Sequence, residues 1–274
     1  MGGTVKGFVK MLVPAGLREW LRALFGWQGF EGNYRTWAEA AAVCRGYDDA
    51  VIVERVLATT LAVKAGRWVF ERDGVAFAEA TPEPGLVAAL RTVVAGTGPR
   101  LRVLDFGGAL GTTYWRHRAE FGGMGAWVWD VVEQRGFVAA GRAQLADTGL
   151  RFFETVEAAE AAGAHDVLMA STSLQYLAEP HVTVDGWMAR EFAWLLFNNL
   201  PLHADAPDRI AVQRVPAEIY PGSYPVWFFN RERFLARFEG RYDVVLEFPG
   251  EAVWRVGARR YPSTGLLLRR RETR

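Results

Sequence analysis

Val103-Leu104-Asp105-Phe106-Gly107-Gly108-Ala109-Leu110-Gly111 carries an apolar run into a glycine-rich turn and then into a helix-like segment reaching about His117. A strand that ends this way before a helix is the context a cofactor loop needs: glycines turn the chain sharply and let a ligand approach the backbone, and the helix N-terminus offers unsatisfied N–H groups. The dinucleotide fingerprint Gly-x-Gly-x-x-Gly, aligned on Gly108 and Gly111, needs glycine where this chain has Phe106, so a pyrophosphate is poorly served. Asp105 at the strand end repels a pyrophosphate but can accept from an α-ammonium, directly or through water. The expected ligand is therefore S-adenosylmethionine, a zwitterion with a sulfonium centre, held by Asp105, Gly107, Gly108 and Gly111.

Beyond Pro99, short apolar runs alternate with helix-like segments, the pattern of βαβ units and a parallel sheet. The expected strands are Leu101–Phe106, Trp127–Val132, Leu150–Phe153, Asp166–Ala170, Trp194–Phe197, Asp243–Phe248 and Gly265–Arg269. The last two lie close enough in sequence for an antiparallel edge hairpin. These give an α/β fold with a Rossmann-like methyltransferase sheet of about seven strands, mostly parallel. Before Pro99, apolar residues recurring at three and four between Tyr34 and Ala65 predict two helices, with Asp48 or Asp49 capping the second and Gly66 ending it. Two short strands flank the Asp73-Gly74 turn, and a further helix spans Leu86–Val94. A loose boundary at Gly96-Thr97-Gly98-Pro99 divides a mainly helical N-terminal region, residues 1–98, from a cofactor-binding domain, residues 99–274.

The 274 residues are 50% hydrophobic and 23% charged, an ordinary globular mix. Thirty-two Lys and Arg nearly cancel 31 Asp and Glu, leaving no basic excess to attract nucleic acid. The lone Cys44 has no disulfide partner and no Cys or His at metal-ligand spacing, which points to a packing residue in a reducing cytoplasm. No His-x-x-x-His pair and no Gly-Lys-Ser/Thr loop is present, which disfavours a zinc hydrolase and a nucleoside triphosphatase, and no metal is expected. Near the N-terminus Phe8, Met11, Leu12, Leu17, Leu21, Leu24 and Phe25 alternate with Lys6, Lys10, Arg18 and Arg22. That segment is too broken by Pro14 and Gly16 to span a bilayer; it either docks on the fold or on another subunit, or lies on a membrane surface.

The second strand ends in Glu133, about where a carboxylate accepts from ribose hydroxyls, whereas Asp130, three residues earlier, faces the other side. Phe153 and Glu154 end the third strand and are expected to meet the adenine. The fourth strand releases into Ser171-Thr172-Ser173-Leu174-Gln175-Tyr176, with Ser171 beside the cofactor and Gln175 and Tyr176 placed to orient the acceptor. The stretch Asp208–Asn230 reads as a long aromatic loop, with Tyr220, Tyr224 and Trp227 as acceptor contacts beside polar groups such as Gln213 and Arg214. An alcohol acceptor calls for a general base, and His203, His117 and Tyr176 are the available groups, His203 preferred for its position after the fifth strand.

Taken together, Gly29-Phe30-Glu31-Gly32-Asn33-Tyr34, Gly46-Tyr47-Asp48, Phe70-Glu71-Arg72-Asp73, the glycine turn, Val132-Glu133-Gln134, Leu174-Gln175-Tyr176-Leu177, Val215–Tyr220 and Ser223–Asn230 resemble an incompletely characterised family of bacterial methyltransferase-like proteins, often associated with surface-polysaccharide gene clusters. The resemblance implies the class I methyltransferase fold and its cofactor; the cytoplasmic or membrane-peripheral location is the expectation from Cys44 and the N-terminal segment, and the small-molecule or saccharide-type acceptor that from the aromatic stretch. A charged pair expected after the fifth strand is replaced here by Asn198-Asn199. Two other readings remain open, a non-catalytic scaffold subunit with the same fold and an NAD-dependent sugar oxidoreductase.

Overall fold

The computed structural model describes residues 29–46, 49–79, 81–123, 126–205, 207–215 and 222–272. In chain order the elements are β1 (Phe30–Tyr34), α1 (Trp37–Ala42), α2 (Asp49–Lys64), β2 (Phe70–Arg72), β3 (Val75–Phe77), α3 (Pro84–Thr97), β4 (Arg100–Phe106), α4 (Thr112–Phe121), β5 (Ala126–Val132), α5 (Arg135–Gln144), β6 (Leu150–Phe153) and α6 (Val156–Ala161). There follow β7 (Val167–Ser171), a 3₁₀ turn (Leu174–Tyr176), α7 (Pro180–Ala189), β8 (Trp194–Leu200), β9 (Leu202–His203), β10 (Arg209–Val215), β11 (Gly222–Asn230), α8 (Arg231–Ala236), β12 (Tyr242–Val256) and β13 (Arg259–Arg270).

Eleven strands form one sheet in the order β6-β5-β4-β7-β8-β13-β12-β1-β10-β11-β9. The first five are parallel, and β13 enters antiparallel between β8 and β12. These seven are the expected Rossmann-like unit, with β12 and β13 much longer than anticipated. The central strands read as unbroken apolar runs because both their faces are covered. Val103, Trp129, Val131, Met169 and Leu196 face one core, under α2 to α5, while Leu104, Val132, Leu168, Ala170 and Leu195 face the other, under α6 to α8. Each such large side chain contributes roughly 1.5–3 kcal/mol by leaving water.

Local signals explain the punctuation. Asp73 and Gly74 both take positive φ, 52° and 71°, as a two-residue hairpin turn requires. Thr36, Thr155 and Asn230 cap α1, α6 and α8 by accepting from backbone N–H groups three residues on. Gly66 has φ 72°, the left-handed end expected of it.

One reading is corrected. Asp208–Asn230 is not a long loop but mostly a hairpin, β10 against β11, which with β1 and β9 extends the sheet beyond β12. Its aromatics alternate between faces, as side chains on a strand must. Residues 1–28, with the basic amphipathic segment, lie outside the described residues, as does Tyr220. Among the described residues no helix is long and apolar enough to cross a membrane.

Candidate functional site

The chain from β4 returns through α4 to β5 on one side, while β7 pairs on the other side of β4. The carboxyl ends of β4 and β7 therefore mark the point where strand order reverses, the usual ligand position in a doubly wound sheet. A cavity of about 310 Å³ opens there. Its floor is Gly107, Gly108 and Ala109 after β4, Ser171 and Thr172 after β7, and Asn199 near the end of β8. Helix α4 gives Thr112, Thr113 and Arg116; the β2–β3 turn gives Arg72 and Asp73; Tyr176, Gln213 and Tyr224 form another wall. Ile52 and Val56 of α2 and Phe137 of α5 complete it, so residues from the N-terminal region line the same space.

Backbone strain gathers at this cavity. Five described residues other than glycine have positive φ, and four of them line it: Asp73 (52°), Ala109 (51°), Thr172 (57°) and Asn199 (56°). Such conformations persist only where the surroundings hold them, and they cluster at ligand sites.

Asp105 is fully buried on the face of β4 that Trp129 and Val131 share on β5. Its Oδ2 accepts from the Trp129 indole at 2.8 Å. Oδ1 has no partner among the described residues. Burial pushes this carboxyl up to about 7; the indole hydrogen bond works against the rise, and the nearby Glu133 charge adds to it. Glu133 is two residues beyond Val131 and so continues the same face, half-buried, with its Oε2 accepting from Gln134 N at 2.6 Å. Asp130 points to the opposite face, where Arg151 Nε at 2.7 Å and His165 Nε2 at 2.7 Å engage it. Burial opposes ionisation of Asp130, but those two hydrogen bonds outweigh it and hold the carboxyl below its ordinary range.

The glycines serve the loop itself. A Cβ on Gly108 would lie 2.3 Å from Asp105 Oδ2, and one on Gly107, at φ 73°, would lie 2.4 Å from Ser173 Cβ. The space beside Gly107 thus belongs to Ser173, whose Oγ donates to the Phe106 carbonyl at 2.7 Å and pins the β4 and β7 ends together. Gly111, at φ 83°, starts α4 facing Leu150 and Trp115, away from the cavity.

Tyr176 and Tyr224 meet edge to face at 5.3 Å, and the Tyr176 hydroxyl donates to Gln213 Oε1 at 2.8 Å. The remaining expected residues are placed elsewhere. Trp227 lies on the other face of β11 from Tyr224, stacked on Trp37 and donating to the Leu177 carbonyl at 3.0 Å, because three residues along a strand reverse the face. His203 sits on β9 at the far edge, its Nε2 3.1 Å from the Phe228 carbonyl, since the chain after β8 crosses to the end of β11. Phe153 faces the second core with the Arg151 guanidinium 5.5 Å over its ring, and Glu154 is exposed. Gln175 is buried, does not line the cavity, and neither of its amide atoms has a partner among the described residues. His117 is buried against Glu83, 3.0 Å away.

Around the cavity, ion pairs and hydrogen bonds tie together residues to which sequence reasoning assigned no role in the site. Arg116 bridges Glu83 at 2.8 Å and Glu251 at 2.6 Å, and its guanidinium lies 4.5 Å over the Phe70 ring. Arg72 pairs with Glu251, which ties the β2–β3 hairpin to β12. Burial would raise Glu83, but the His117 hydrogen bond and the Arg116 charge prevail and hold it low. Asn198 Nδ2 donates to Ser171 Oγ at 3.1 Å. Asn199 Oδ1 accepts from Glu251 N at 2.8 Å. These links join residues far apart in sequence, and no local pattern announces them.

No protein family matches the chain, and neither does any curated protein. Among solved structures it is similar to the N-terminal domain of EvdMO1 crystallised with SAH and D-fucose, at 18% identity over 80% of this chain and 97% of that one, TM-score 0.46. It is also similar to the glycopeptide N-methyltransferase MtfA complexed with SAH, at 15% identity over 68% and 90%, TM-score 0.43. A third is magnesium protoporphyrin IX methyltransferase (ChlM) from Synechocystis PCC 6803 with bound SAH, at 16% identity over 82% and 100%, TM-score 0.43.

Proposed function

We propose that the protein is an S-adenosylmethionine-dependent methyltransferase. The observation that carries this reading is the nearness of Asp105, on β4, to Glu133, one residue past the end of β5, whose charge acts on Asp105 beside the glycine turn at the sheet's reversal point. The unpartnered Asp105 Oδ1 is a buried acceptor in need of a donor, which the α-ammonium of the cofactor supplies, through a water where the loop stays closed. Glu133 takes the ribose hydroxyls. Asp105 beside the turn suits an ammonium and repels a pyrophosphate, whereas a ribose-binding Glu133 would serve either cofactor. When bound, S-adenosylmethionine supplies an electrophilic methyl group, and the chain's task is to align the acceptor and exclude water.

The acceptor in this reading is a small hydroxyl-bearing molecule of saccharide type, placed against the Tyr176 and Tyr224 rings with Gln213, Asn199 and Arg72 around it. A role in surface-polysaccharide synthesis is the biological form of the same proposal. The test is calorimetric titration with S-adenosylmethionine, S-adenosylhomocysteine and NAD, followed by incubation with methyl-labelled cofactor and a panel of nucleotide sugars and glycans. Micromolar binding of the first two, no binding of NAD and a labelled glycan support the proposal. Binding of NAD alone overturns it, and cofactor binding without transfer to any hydroxyl acceptor removes the saccharide assignment.

A further inference from the structure

We propose that Glu71, acting through the Thr112 hydroxyl, takes up the proton that the acceptor sheds, which makes the β2–β3 hairpin part of the reacting site as well as its roof. The inference rests on the methyl-transfer reading above. Glu71 is only 1% exposed. Thr112 Oγ1 donates to its Oε1, and the Gly74 N–H reaches Oε2 at 3.3 Å. Thr112 in turn lines the cavity next to the Gly107–Ala109 turn.

A buried acid is normally ion-paired, but among the described residues no cation lies within ion-pair distance of Glu71, and the Arg72 charge is only a minor lowering influence. Arg72 on its own hairpin turns to Glu251, and Arg116 of α4 is held between Glu83 and Glu251. Arg55 of α2 donates to the Gly74 carbonyl at 3.2 Å, and Asp73 adds a like charge. Burial therefore dominates and pushes the Glu71 carboxyl up to about 7, against the Thr112 hydrogen bond. An Asp-Gly turn closes without such a group, so the hairpin alone does not account for it.

A hydroxyl has one proton and two lone pairs. With its proton given to ionised Glu71, Thr112 has only lone pairs to offer the cavity, so the group that meets it there must be a donor. The acceptor O–H or N–H fits. Its proton passes to Thr112 Oγ1 while the Thr112 proton passes to Glu71 Oε1; the freed lone pair forms the bond to the methyl carbon, and the carbon–sulfur pair stays on sulfur. Glu71 ends neutral and Thr112 is restored, so Glu71 works through Thr112 without touching substrate.

The test needs no identified acceptor. Sinefungin carries an ammonium where the cofactor carries its methyl group, and S-adenosylhomocysteine carries nothing there. Calorimetry at pH 6 and pH 8 gives the ratio of their affinities, in which any contribution common to both ligands, including that of Asp105, cancels. In the wild type the preference for sinefungin rises about tenfold across this range, the size expected for a hydrogen bond involving a charged group. Glu71→Gln and Thr112→Val abolish the rise in this ratio, each variant being normalised to its own S-adenosylhomocysteine affinity, while Thr112→Ser restores it. If Glu71→Gln does not fold, the two Thr112 variants carry the same comparison. A ratio that climbs equally in the variants, or variants that change only the melting temperature, return Glu71 to holding the turn and overturn the proposal. Failure of the wild type to bind either ligand overturns the cofactor reading itself, and this inference with it.

Discussion

Trp129 donates its indole N–H to one oxygen of Asp105 at 2.8 Å and leaves the other oxygen with no partner among the described residues. One carboxyl is thereby fixed in orientation and half satisfied. Its protonation decides what it can bind: held near 7, it is neutral below that pH and ionised above it, and only the ionised form attracts an ammonium.

Affinity for S-adenosylmethionine should accordingly rise between pH 6 and pH 8. Asp105→Asn removes the charge at every pH, so it loses about tenfold or more in affinity at pH 8 and little at pH 6. Trp129→Phe removes the hydrogen bond that favours the carboxylate and moves the midpoint upward. Calorimetric titration across the range checks both, and a flat wild-type profile would separate Asp105 from the cofactor.

Asp130 and Glu133 make a controlled pair, since they sit three residues apart on opposite faces. Glu133→Ala should reduce cofactor affinity by about 1.5–3 kcal/mol with little change in melting temperature. Asp130→Ala should do the reverse, destabilising the fold by roughly 3–5 kcal/mol because Arg151 and His165 lose a buried partner. Thermal unfolding alongside titration distinguishes them.

Much of this was readable from the residues and much was not, for physical reasons. The seven expected strands were legible because Val103, Leu104, Trp129, Leu168 and Leu196 are buried from both sides, which writes an apolar run into the chain. The Asp105 and Glu133 faces followed from simple alternation. The β10–β11 hairpin was hidden by Pro225, which is tolerated because β11 is an edge strand over most of its length, with β9 reaching only Phe229 and Asn230. Glu71 lies on a three-residue strand and meets Thr112 across 41 positions. His203 was misplaced because a sequence shows where a strand ends but not where the chain then goes.

Stability should fall as pH rises from 5 to 8. Glu71 and Asp105 are both raised to about 7 in the folded chain, so each binds a proton more tightly there than when unfolded. Their contribution is complete below their unfolded values and is lost as pH climbs through 7, roughly 3–4 kcal/mol apiece. Carboxyls held low, such as Glu83 and Asp130, act only in more acid solution. Melting temperature measured against pH should decline in the wild type and decline less in Glu71→Gln.

The two faces of β11 give the last prediction. Tyr224 turns toward the cavity and meets the Tyr176 ring, while Trp227 turns away and packs on Trp37 and the Leu177 carbonyl. Tyr224→Ala should therefore raise the acceptor KM or lower kcat severalfold while leaving S-adenosylmethionine affinity and the melting temperature nearly constant. Trp227→Ala removes a half-buried aromatic stack and one hydrogen bond, so it should destabilise the fold by about 2 kcal/mol. Kinetics with the labelled acceptor, paired with melting curves, resolve the two. Loss of acceptor affinity in Trp227→Ala at unchanged stability, with Tyr224→Ala silent, would place the acceptor on the opposite face of the sheet extension and move the substrate wall away from Tyr176 and Gln213.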